Sequence, residues 1–85
     1  MKAGKLLNKL KDILSAERKA QLKKYSSLKK VLKKLRTEKR RLEEVLAETS
    51  DETTRREIET RLIVLSEQRK KGLAVLKELK KEKNS

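Results

Sequence analysis

Lys29, Lys33, Arg36 and Arg40 are separated by steps of four, three and four residues, the spacing that places side chains on one face of an α-helix. Cations in such a row can track a phosphate backbone, because each phosphate they neutralise releases condensed counterions. Lys23, Lys30, Lys34 and Arg41 flank a leucine stripe, Lys24 adjoins Lys23, and Arg69, Lys70 and Lys71 form a second cluster later in the chain. These are the candidate nucleic-acid contacts. Eighteen of the basic residues are Lys and eight are Arg, which favours diffuse attraction to backbones over bidentate reading of guanine edges. Sequence-specific recognition is not expected. Tyr25, the one aromatic residue, cannot furnish a stacking platform for single-stranded bases and reads as packing at the edge of a helical seam.

No constellation supports catalysis. The absence of His and Cys removes the commonest general base, the usual activators of a serine, thiolate metal ligands and disulfides. There is no glycine-rich phosphate cradle and no calcium-loop spacing of acids around a glycine. Glu43 with Glu44, and Asp51 with Glu52, are carboxylate pairs in sequence only, since adjacent residues diverge on a helix. No catalytic residue, metal or cofactor is therefore expected. No apolar run approaches the roughly 18 residues of a membrane span, and nothing after the first lysines resembles a secretory signal. A soluble, cytoplasmic protein is the expectation.

The formal net charge of +13 is unevenly spread. Residues 1–41 carry sixteen basic and three acidic side chains, residues 42–68 three and eight, and residues 69–85 seven and two. Like charges at helical spacing repel, and few acids stand at the i,i+4 positions that would compensate the first stretch. A solvated lysine face would serve solubility alone; uncompensated repulsion points to an anionic partner.

The elements that position these rows must be helices. Pro is missing and Gly occurs twice, while Leu, Lys, Glu, Arg and Ala dominate; all five are strong helix formers. Fifteen of the twenty-two large aliphatic residues are Leu, which suits a narrow seam between long helices. Leu7, Leu14, Gln21, Leu28, Leu35, Leu42 and Thr49 recur every seven residues, and Leu10, Val31 and Val45 each fall three residues after one of them. The stripe thins between Ser15 and Lys24, which predicts a break or bend near Ser15, with Ser15 as N-cap and Glu17 in the first turn. From Leu46 to Ile58 no large apolar residue intervenes. Thr49 with Glu52 and Thr54 with Glu57 have capping-box spacing, and Ser50 and Asp51 are further N-cap candidates. A second stripe follows in Ile58, Leu62, Leu65, Leu73, Leu76 and Leu79, with Gly72 in its seam.

This pattern predicts an all-α fold, an antiparallel coiled-coil helical hairpin in one domain. Its parts are a short amphipathic helix over about 3–14, a long helix over about 16–48, a loop over about 49–52 and a helix over about 53–82. A turn about Ser50 sets Leu35 near Leu65 and Leu28 near Gly72, on arms about 48 Å long. The two basic stretches then meet at the open end, and the loop end is acidic. The short helix either docks as a third helix or extends the long one. Gly72 is either a tolerated helix glycine or a point of close helix approach.

The function expected is that of a small basic, non-enzymatic protein that grips nucleic-acid phosphates, in DNA or in RNA and its ribonucleoproteins, without sequence specificity. The alternative is a coiled-coil interaction or dimerisation module that recognises an acidic protein surface. A homodimer is expected, because Leu22, Leu62, Ile63, Val64 and Val75 broaden the stripe beyond one seam. Lys2, Lys5, Lys9 and Lys11 oppose Leu6, Leu7, Leu10, Ile13 and Leu14 as in an interfacial anchor. Docking explains that stripe more simply, so a membrane surface is the least favoured partner.

Overall fold

In the computed structural model, which describes residues 2–84 and Lys2 by its backbone alone, the elements are α1 (Lys2–Leu14), α2 (Arg18–Lys23), α3 (Tyr25–Glu48) and α4 (Glu52–Lys83). No strand occurs among the described residues. The α3–α4 hairpin is the expected one. Leu28, Val31, Leu32, Leu35 and Leu42 of α3 are buried in one cluster with Ile58, Leu65 and Leu79 of α4. The buried residues of α4 are Ile58, Leu65, Gly72 and Leu79, a seven-residue repeat that keeps one narrow stripe on its partner.

Of the candidate caps, Asp51 starts α4. Its carboxylate accepts hydrogen bonds from the Thr54 backbone N–H at 3.0 Å and the Thr54 hydroxyl at 2.5 Å. These two bonds stabilise the charged form and hold the Asp51 carboxyl below its ordinary value.

The amphipathic α1 docks. Leu10 and Ile13 are buried in the same core, and Gly72 is where α1, α3 and α4 meet. A Cβ built on Gly72 would lie 2.7 Å from Leu32 Cδ2 and 3.0 Å from Leu10 Cδ1, so close approach is the reading the packing supports. Ala3 and Gly4 line one hollow with Leu42 and Thr60, whereas Leu14 and Ser15 line another with Gln68 and Lys71. Helix α1 therefore runs antiparallel to α3 and alongside α4 over the middle of the rod, and α2 follows α4 towards the open end, where Arg18 pairs with Glu78 and Glu82. The molecule measures 50 × 19 × 16 Å. It is three helices thick over its open half and two at the tip.

The structure corrects three expectations. The long helix over 16–48 is not continuous: α2 starts at Arg18, and Lys24, at φ −97° and ψ 15°, separates it from α3. The seam positions there are Glu17 and Lys24, which offer nothing to bury, and the break carries Gln21 against the end of α1. Gln21 is only 6% exposed, and its Nε2 donates to the carbonyls of Ile13 at 3.1 Å and Leu14 at 3.2 Å, satisfying orphaned helix-end acceptors. Ser15 is not an N-cap. Its hydroxyl donates to the Asp12 carbonyl and so closes α1, leaving Glu17 at the cap position of α2 without a side-chain bond. Finally, Val45 and Leu73 do not fill the seam and are exposed. Val45 lies at the two-helix tip beyond α1, and Leu73 sits on the flank of α4.

Candidate nucleic-acid interface

Helix α3 carries two basic edges, and its neighbours tell them apart. Tyr25 stands one turn before Lys29, and the Lys83 ammonium of α4 lies 4.3 Å from the centre of the Tyr25 ring. The row Lys29, Lys33, Arg36 and Arg40 therefore follows the α4 side of α3. Lys34 instead lines a hollow of about 440 Å³ with Lys5 and Leu6 of α1, so Lys30, Lys34 and Arg41 follow the α1 side.

Charge along the first row is nearly unrelieved. The acid–base pairs recorded are Arg18 with Glu78 and Glu82, Arg41 with Glu38, and Arg56 with Glu52. Lys29, Lys33, Arg36 and Arg40 are exposed and have no acidic partner among the described residues. Lys23, Lys24, Lys30, Lys34, Lys70 and Lys71 are likewise exposed and pair with no acid among the described residues. Tyr25 is half-buried, and the ammonium groups of Lys29 and Lys83 lie 5.8 Å and 4.3 Å from its ring centre. Its negative face holds two cations together at the open end.

The twelve candidates do not form one patch. Lys23 ends α2 and Lys24 is the break itself, so both leave the register of α3. Lys71 lines the hollow between α1 and α4, while Lys70 is exposed one position along. Arg41 is tied to Glu38 by contacts of 3.0 and 3.3 Å, and Glu38 is itself only 8% exposed. Arg69 has a structural role: it is half-buried, and its Nε donates across the seam to the Leu32 carbonyl at 3.3 Å.

Arg69 belongs to a second seven-residue series on α4, namely Arg55, Leu62, Arg69 and Leu76. Arg55 behaves alike, donating through Nη1 to the carbonyls of Leu46 at 2.7 Å and Thr49 at 2.9 Å and so closing the last turn of α3. Each arginine lays its stem along the seam and delivers its head to backbone oxygens. The spacing of Arg69 from Leu62 and Leu76 was the signal for this role. Conversely, Lys77 and Lys80 are exposed in the open-end half of α4. With Lys83, whose ammonium lies over the Tyr25 ring, they add positive charge to the open end.

The lysines of α1 change the charge map as well. Because α1 folds back, Lys5, Lys9 and Lys11 lie along the middle of the rod rather than beyond the open end, and the basic surface reaches further towards the tip than a bare hairpin would allow. Burial of Leu10 and Ile13 also uses the stripe that could have served as a membrane anchor. Among the described residues no helix is long and apolar enough to cross a membrane. Compared with known proteins, the chain matches no family model, no curated protein and no solved structure, so its function must be read from this surface.

Proposed function

We propose that the protein is a non-enzymatic, cytoplasmic binding protein that grips nucleic-acid phosphates without reading sequence, through the α3 row and the α4 lysines at the open end. One observation carries this reading: Lys29, Lys33, Arg36 and Arg40 form an exposed helical row with no acidic partner among the described residues. From Lys29 to Arg40 the row spans about 16 Å at ~1.5 Å per residue, long enough to meet several successive phosphates of a duplex strand spaced by ~3.4 Å along the axis. Lysine heads on long stems tolerate the groove geometry of either DNA or RNA.

Anisotropy of a labelled DNA duplex and a labelled RNA hairpin tests the reading. Unrelated sequences should bind with similar affinity, and binding should weaken steeply with salt. Changing the four residues of the row to Gln should lower the slope of log K against log salt by about 0.9 per lost contact on duplex DNA, with helicity unchanged. Neutralising Glu43, Glu44 and Glu48 should leave binding nearly intact. An unchanged slope would remove the site, and no binding at low salt would remove the function.

The homodimer is a subsidiary part of the proposal. Docked α1 now covers much of the apolar surface that argued for it, and the large apolar residues left exposed, Val45, Ile63, Val64 and Leu73, do not form one face. Its remaining support is the bipolar charge, which would set the acidic tip of one chain beside the basic end of another. Light scattering that gives twice the 9.9 kDa chain mass would support it.

A further inference from the structure

The face between α1 and α4 combines an apolar floor with a lining free of acids, whereas the hollow on the α1 side of α3 is lined by Glu38. Two hollows of about 500 and 240 Å³ adjoin there and share Leu7 and Val64 in their linings. Leu7 and Leu14 are half-buried on the α1 wall, with Lys11 between them. Val64, Gln68 and Lys71 form the α4 wall at steps of four and three residues, and Val64 is 46% exposed. The larger hollow is lined by no acid, and neither Lys11 nor Lys71 pairs with one among the described residues. Nucleic acid has no use for a floor of Leu and Val, and a solvated lysine face needs no such floor.

We propose that this groove docks an acidic amphipathic helix from another protein. Leu7 and Leu14 are separated by two helical turns, about 10 Å, which matches apolar anchors at i, i+3 or i+4, and i+7 on an incoming helix. Glu or Asp residues flanking those anchors meet Lys11 and Lys71. The net charge of +13 steers such a partner in and rejects basic helices, this chain's own open end among them. The groove lies off the α3 row, so one molecule can hold an acidic helix and a nucleic acid together.

The probe is a fluorescein-labelled helical peptide with Leu at those three spacings and Glu at the flanks, compared with a peptide of equal charge whose Leu residues are replaced by Ser. Anisotropy should show saturable binding of the first, at least about tenfold weaker binding of the second, and a comparable loss for Val64→Glu, since truncated or repelled central anchors dominate such interfaces. Val64 is exposed, and unchanged circular dichroism of V64E will show that the fold persists; Lys11→Glu with Lys71→Glu is the second variant and should also weaken the Leu peptide. The fourfold Gln variant of the α3 row should bind the peptide within about twofold of the parent. Equal binding of both peptides, indifference to both groove variants, or amide shifts confined to the α3 row would overturn the proposal. Amide shifts at Leu7 and Val64 that grow with protein concentration alone would also overturn it, in favour of a second copy of the chain. Loss of nucleic-acid binding with retained peptide binding would remove the function proposed above and leave this inference standing.

Discussion

At the scale of single residues, the two glycines make opposite predictions from one physical rule. Replacing a helix-interior Gly by Ala gains about 1 kcal/mol of helix propensity, but the new methyl needs space. At Gly72 it would meet Leu32 and Leu10 at 2.7 and 3.0 Å, and both leucines are 2% exposed or less, so they cannot swing aside. Overpacking of this kind costs about 1–3 kcal/mol. Gly72→Ala should therefore lower stability, by about 1 kcal/mol net, whereas Gly4→Ala, where nothing lies within 4 Å, should leave the melting temperature equal or higher. Thermal melts of the two variants check the contrast. Leu35→Ala and Leu65→Ala remove side chains exposed by 0% and 1%, and each should cost about 2–4 kcal/mol in urea unfolding. A loss under about 0.5 kcal/mol at both would contradict the seam, since burial of this degree ordinarily costs several times that.

At the scale of elements, capping decides where helices begin and end, and its sign with pH can be worked out. The Thr54 bonds keep the Asp51 carboxyl below its ordinary value in the folded chain. The cap's contribution is therefore complete above the unfolded value of about 3.9 and disappears as pH falls through the lowered one. Asp51→Asn should keep the cap at neutral pH and flatten the acid limb of the melting curve, while Asp51→Ala should lower the melting temperature at neutral pH as well. A difference between parent and Asp51→Asn that persists unchanged in strong acid would contradict the assignment. The hairpin, its turn and the α1 stripe were legible in the sequence because each rests on a local signal: a period of seven, a cluster of cap residues, an amphipathic pattern. The break at Lys24 was not, because it depends on a tertiary demand. Gln21 holds a seam position in the repeat, but its polar side chain is used to finish another helix, and no local spacing announces that partner.

At the scale of the whole molecule, charge repulsion and burial compete. Salt at ~0.15 M shortens the screening length to about 8 Å, so added salt should relieve self-repulsion and raise the melting temperature, despite weakening the exposed Arg18 pairs with Glu78 and Glu82. A short polyanion that binds the native state should raise it further by mass action. Scanning calorimetry in a salt series checks both; a melting temperature that falls with salt would mean that ion pairs outweigh repulsion. The candidate interface was half legible on this scale. Four cations of α3 share a face by spacing alone, but only the antiparallel packing of α4 brings Lys83 to the Tyr25 ring at the end of that row and engages Arg69 with the Leu32 carbonyl.

The meeting of Leu10 with Gly72 has a consequence in time. The contact joins positions 62 residues apart, so α1 and α3 are made well before the part of the α1 seat that α4 supplies. Until α4 emerges, α1 can pack only on α3, and the leucine stripe of α3 and the Gly72 side of Leu10 stay uncovered beside the dense lysines of α3. Long-range contacts of this kind form late, and the interval before they form is the period of greatest risk for premature capture by polyanions or for aggregation. The seat of α1, begun on α3, is thus completed only when α4 has been made, and the same helix then covers the stripe of α3.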